Sequence, residues 1–275
     1  MTVTAPHRPS LYIAALLTLA LAIASSSCSS DTAAVMSCER LKIVALNSFA
    51  ITHGDYELNS GANSSNNACT DGTLPIELGP RSAMAEAPRW SGEIRRGESG
   101  EVLMPQTLPW RLTSILSVAS GAAPLGNGLD DQEILLKAIP PSMPVQVFIL
   151  LAKPLKESEV RALWPRPRSV MVAPDQPLIW ESPIFCDYRG FNACQFSAHP
   201  EPLTAQFKKW VSLLQENDAQ VLDQFNLKLK TLQTYAREGL IYGFTARDLP
   251  HPIRAIARDP RIRAVYVVDT DLPRN

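Results

Sequence analysis

The chain lacks a surplus of charge of either sign. Its 26 basic and 27 acidic side chains leave a formal net charge of −1. Nucleic-acid binding relies on a basic stripe that displaces counterions from phosphates, and a near-neutral chain without one is not expected to take a nucleic-acid partner. Histidine is scarce as well. His7 lies ahead of the first apolar run, His53 in a polar segment, His199 before Pro200, and His251 between Pro250 and Pro252. None has a second His or Cys at a metal-ligand spacing, so no metal site is read. A Gly-x-Ser-x-Gly elbow, a phosphate loop and a Gly-rich dinucleotide turn are missing too, and no cofactor or catalytic residue is assigned.

A long hydrophobic run is also missing. The longest charge-free apolar stretch, Leu11–Ala24, has 14 residues. As a helix it would reach only ~21 Å, against a bilayer core of ~30 Å. That length suits the apolar core of an export signal, and His7 and Arg8 precede it as small residues follow it. Residues 1–27 are therefore expected to be a signal peptide.

Ser25-Ser26-Ser27-Cys28 at its end resembles the lipobox of bacterial lipoproteins, with Ser25 standing where Leu, Val or Ile is usual. The resemblance implies that Cys28 is lipidated and becomes the N-terminus. It further implies a membrane partner, reached through that lipid, at the bacterial cell membrane or envelope outside the cytosol. Cleavage after Ala22-Ile23-Ala24 is the alternative, and would leave Cys28 a plain thiol.

Cysteine usage bears on the same question. The five are Cys28, Cys38, Cys69, Cys186 and Cys194. An odd number in an exported chain leaves one thiol over, and a lipid on Cys28 would account for it. Of the three pairings open to the other four, closeness in sequence favours Cys38–Cys69 and Cys186–Cys194. Chain entropy assigns these bridges ~3.7 and ~2.5 kcal/mol respectively.

Three regions follow from pattern. Residues 28–123 read as a tether and an irregular N-terminal region, because a polar loop at 59–72 and five prolines between Pro75 and Pro109 interrupt it. Within it, Leu41–Ile51 reads as a strand. Residues 124–275 read as an α+β domain with an insertion at about 174–239. A helix is expected through Ile134, Leu135 and Ala138, then a strand at Val145–Ala152, apolar on both faces. A helix within Lys153–Trp164 and a strand at Ser169–Ala173 complete the unit.

That succession recurs as a strand at Leu240–Ala246, a helix at Leu249–Ala257 and a strand at Ala264–Val268. The octet beginning at Pro165 (PRPRSVMV) and the one beginning at Pro260 (PRIRAVYV) share five of eight positions. Two such βαβ units imply a ferredoxin-like antiparallel sheet, each unit filling the gap left by the other's crossover. A mixed sheet with an added 41–51 strand is the alternative. The insertion places Phe207, Trp210, Val211 and Leu214 on one helical face. Asp218 can cap the next helix, and Gly239 can end the one carrying Leu229, Leu232 and Tyr235.

The best recognition patch is the loop between Cys186 and Cys194, where Asp187, Tyr188, Arg189 and Phe191 would be held by the bridge. The basic strand starts Arg166/Arg168 and Arg261/Arg263 form a second. The pattern as a whole suits an extracytoplasmic binding or interaction module of unknown protein or small-molecule partner. The alternative is a hydrolase assembling its acid and base from Asp175, Glu181, Asp187 or His199. Non-reducing peptide mapping is predicted to recover Cys186 linked to Cys194 and Cys38 linked to Cys69. Recovery of either crossed pairing would refute the assignment.

Overall fold

The computed structural model of the chain describes residues 38–58, 73–81, 90–97, 101–104, 107, 111–123, 132–181 and 201–270. The first of these segments is helical throughout: α1 (Cys38–Leu41), a π-helical turn (Lys42–Leu46) and α2 (Asn47–Thr52). This corrects the strand expected over Leu41–Ile51. Its β-branched Ile43-Val44 pair suggests a strand, but the segment is helical and buried on all sides from Val44 to Phe49. The π turn has a local cause. The Ile43 carbonyl accepts from the Asn47 side chain and from Trp210 Nε1, each at 2.9 Å. The Asn47 backbone N–H, its usual helical partner, goes to Val44 instead.

Four strands then form an antiparallel meander: β1 (Tyr56–Leu58), β2 (Thr73–Pro80), β3 (Trp90–Arg96) and β4 (Val102–Leu103). The pairings Leu74↔Ile94 and Leu78↔Leu58 set its register. Leu74, Ile76, Leu78, Ile94 and Val102 are buried, while Glu77, Ser91, Glu93 and Arg95 face water. Residues 28–123 thus carry, in their described part, regular structure on both sides of the polar loop. Two helices follow, α3 (Arg111–Ala119) and α4 (Gln132–Ala138).

The second sheet comprises β5 (Val145–Leu155), β6 (Ser169–Met171), β7 (Ile179–Trp180), β8 (Ile241–Asp248) and β9 (Ile262–Thr270). Their spatial order is β7-β6-β8-β5-β9, with every neighbouring pair antiparallel. The long apolar strand β5 lies beside β8, with β6 and β9 flanking that pair, and β7 is a hairpin return beyond β6. The fold is α+β, built on two antiparallel sheets.

Burial of β5 on both faces explains its composition. Val145, Val147, Ile149 and Leu151 join the large core, which also takes in the meander's inner face and α1–α2. Phe148 and Leu150 point the other way and pack with Met171, Ile179 and Tyr266 beneath Leu112, Ile115 and Leu116 of α3. Helix α3, from the N-terminal region, closes this second face.

The remaining helices are α5 (Glu157–Leu163), α6 (Leu203–Leu213), α7 (Ala219–Gln224), α8 (Leu229–Glu238) and α9 (Pro250–Ile256), with a 3-10 turn at Glu216–Asp218. Phe207 and Trp210 of α6 are buried against Trp180, the two indoles stacked with centroids 5.3 Å apart. Gly239 ends α8 at φ 56°, its N–H bonded to the Tyr235 carbonyl at 2.9 Å. Asp218 precedes α7 without capping it, because its carboxylate is taken by Arg40 and the Gln215 N–H.

Gly243 is required by its neighbour across the sheet. A Cβ there would stand 2.4 Å from Cζ of Phe148 and 2.9 Å from the Ile149 carbonyl oxygen. Gly243→Ala is therefore predicted to cost ~1–3 kcal/mol by overpacking, and Phe148→Ala ~3–5 kcal/mol by leaving a cavity. The double variant removes the ring that the new methyl strikes. Its cost in urea unfolding should fall short of the sum of the two.

Candidate functional site

Two buried carboxylates, Asp55 and Glu157, are each aimed at backbone N–H groups of a distant segment. Helix termini leave N–H groups without internal partners, and an ionised acid is their strongest acceptor. Asp55 accepts from the N–H groups of Leu112 at 2.8 Å and Thr113 at 3.2 Å, in the first turn of α3. Glu157 of α5, only 6% exposed, accepts from Leu203 at 2.9 Å and from Thr204 N–H and Oγ1 at 2.8 Å, in the first turn of α6. Arg161 completes its shell at 2.8 Å. The far end of α6 is also held, as Arg40 donates to the Leu213 carbonyl at 2.7 Å and to Asp218. These groups hold the fold together.

A different cluster gathers where the two sheets meet. Arg81 follows β2, and its guanidinium forms an ion pair with Glu181, just past β7. It also donates to the Tyr56 carbonyl at 3.0 Å, and its N–H to the Asp55 carbonyl at 2.7 Å. Half-buried Glu57 of β1 shares this neighbourhood. Burial first, then the charge of Glu181, raise its carboxyl above the ordinary value, against the pull of Arg81 and Arg168. Behind it His53 stacks on Phe49, with ring centroids 4.0 Å apart. Burial keeps the imidazole below its ordinary value, opposed by the Phe49 carbonyl and the charge of Asp55. Within this neighbourhood the ion pair to the guanidinium is made by Glu181.

A second polar contact lies elsewhere. Tyr235 Oη donates to Asp175 at 2.5 Å, and burial together with that carboxylate raises its phenol. The two described acids named from sequence thus lie in separate contacts, Asp175 on Tyr235 and Glu181 on Arg81. Of the basic strand starts, Arg166, Arg168 and Arg263 are exposed, and Arg261 pairs with Asp259 at 2.7 Å. That hydrogen bond holds the Asp259 carboxyl at about 2.

Cys28, Cys69, Cys186, Cys194, Asp187, Tyr188, Arg189, Phe191 and His199 lie outside the described residues, as does the side chain of Cys38. Sequence reasoning missed Glu57, Arg81 and Asp55. Their charges sit among turn residues, and only the fold brings them to one place.

Among the described residues no group of three or more His, Cys, Asp or Glu is disposed to hold a metal ion. There too, no helix is long and apolar enough to cross a membrane. An open depression marks the outer face of the first sheet, lined by Pro75, Ser91, Glu93, Arg95, Leu103 and Met104. Compared with known proteins, the chain matches no family model, no curated protein and no solved structure at a significant level.

The Glu157 contacts generate a pH prediction. Burial alone would raise this carboxyl, but its hydrogen bonds to Thr204, Arg161 and Leu203 together leave it below the ordinary 4.5. A lowered folded value means the stabilisation is complete above 4.5 and is lost as pH falls through the folded value. Glu157→Gln is predicted to lose ~2–3 kcal/mol at pH 7, since it weakens charge-assisted bonds to two N–H groups. In urea unfolding the gap between variant and parent should narrow steadily below pH 4.5. A gap that stays constant down to pH 2 would show that the charge is not what holds α6.

Proposed function

We propose that the chain is a lipid-anchored extracytoplasmic binding or interaction module, its second sheet a ferredoxin-like pair of βαβ units. The observation that carries this reading is the use made of its acids. Asp55, Glu157 and Asp218 cap or tie helix ends, Asp175 holds Tyr235, and Glu181 holds Arg81. These five acids thereby work as scaffold, which suits a module that presents surfaces.

Two further features support it. The strand order β9-β5-β8-β6 is the order two interleaved βαβ units generate, and α5 and α9 occupy equivalent crossover positions. The depression on the meander is open, and its apolar Leu103 and Met104 lie beside Glu93 and Arg95, the mixed composition of a contact surface. Anchoring rests on the signal-like N-terminus and the Ser-Ser-Ser-Cys sequence ending at Cys28.

The hydrolase reading has one observation in its favour, the Glu57–Glu181 pair with its raised carboxyl. An acid and a base of separated pKa beside a cleft would be the requirement. Glu181 is instead ion-paired with buried Arg81.

Cell fractionation tests the anchor. The parent chain should be recovered with membranes, its N-terminal peptide carrying acyl groups by mass spectrometry. Cys28→Ser should move the protein to the soluble extracytoplasmic fraction. A parent chain that is already soluble and unacylated would refute the anchored reading.

A further inference from the structure

The meander packs one face on the core and turns the other outward, where Thr73, Pro75, Ser91, Glu93, Arg95 and Leu103 stand. Leu103 is 52% exposed, more than any other large apolar side chain among the described residues. The register lines these residues up. Leu103 lies opposite Arg95 and Arg95 opposite Thr73, while Glu93, two residues along β3, lies opposite Pro75. Arg95 Nε donates to Glu93 at 2.6 Å, and the two side chains are 62% and 40% exposed. A pair so open to water contributes little and exchanges partners at small cost.

The centre of the face thus holds one base and one acid side by side, with Leu103 and Met104 along one rim. That pattern is complementary to itself. A two-fold axis lying between two such faces, midway between Glu93 and Arg95, sets each arginine over the partner copy's glutamate. It also sets Thr73 over Pro75 and brings the two Leu103–Met104 rims together. The other charge of the face, Glu77 opposite Ser91, then lies past the start of the facing strand. The small side chains of Thr73, Pro75 and Ser91 let the backbones approach the ~10 Å at which sheets stack.

We propose that this face is a self-association surface, which pairs with the same face of a second copy of the chain about a two-fold axis crossing β3 between Glu93 and Arg95. Each ion pair within a chain becomes part of a square of two acids and two bases, with Leu103 shielding one side from water. A face carrying both signs matches its own two-fold image without a second sequence being shaped to it. An open face also suits another surface better than a small ligand, which would leave much of its own area in water. The proposal rests on the interaction-module reading and names its partner. Copies tethered to one membrane would meet at a raised effective concentration, so a weak contact is enough there.

Sedimentation equilibrium of the Cys28→Ser chain, which carries no lipid at that position whichever reading of the anchor holds, tests the contact. The average mass should climb toward twice the monomer's as concentration approaches ~1 mM, the scale set by tethering. Glu93→Arg sets bases against bases and Arg95→Glu acids against acids, so each alone should stay monomeric. Mixed in equal amounts, the two variants present bases to acids and should associate roughly tenfold more tightly than either does alone. Leu103→Asp should weaken the dimer as well. All three positions are exposed, and unchanged urea midpoints would show that the variants fold. A chain still monomeric at ~1 mM overturns the proposal. So does association that both charge reversals leave intact, that mixing fails to restore, or that continues beyond the dimer. Fractionation decides the anchor separately: an acylated monomer refutes this contact alone, and an unacylated dimer refutes the anchor alone.

Discussion

A carboxylate that leaves water must find donors, and in this protein that constraint fixes how the pieces join. Glu157 is the plainest case. It lies on the crossover helix of one βαβ unit yet accepts from the first turn of a helix in the insertion. Asp55 does the same for α3 from a turn 57 positions earlier in the chain. Because each acid supplies two or more acceptor sites to N–H groups with no helical partner, the contact serves both sides. The charge is solvated and the helix is capped. Such contacts also orient. A helix whose first turn is pinned to a single carboxylate can pivot but cannot slide, and packing then sets the angle.

The two-sided burial of the second sheet imposes a complementary demand. A sheet apolar on both faces needs cover on both, and crossover helices supply only one layer. Here the other layer comes from α3, a short helix that would be marginal alone. Its burial against Phe148, Leu150 and Tyr266 and its cap by Asp55 are two halves of one solution. The N-terminal region is therefore bound into the architecture, and buried residues from Leu41 to Val267 share one core.

Much of the second sheet was legible in the sequence because its signals were local. Eight apolar or amide residues in a row at Val145–Ala152 announce a covered strand. Gly239 reads directly as a helix stop. What escaped was set by distant partners. Leu41–Ile51 carries strand-forming residues, yet it coils, and Trp210, far along the chain, joins Asn47 in donating to the Ile43 carbonyl. Asp218 looks like a cap from its neighbours, and Arg40 diverts it. The charged junction was invisible for the same reason. Glu57, Arg81 and Glu181 belong to three separate stretches, none of which has a spacing that betrays the others. Glu181 was named only as one acid among several.

The fastening of α6 at both ends has a consequence in time. Arg40 and Asp218 are separated by 178 positions. At a synthesis rate of about 5–20 residues per second, Arg40 waits roughly 9 to 36 s before its partner is made. Until then the first helix has neither Trp210 to receive nor a carboxylate to hold. The amino-terminal segment, first to be made, is thus among the last to reach its final contacts. A chain built in this way cannot mature piecewise from its beginning, and an early stop leaves a fragment whose apolar helix has nothing to cover it.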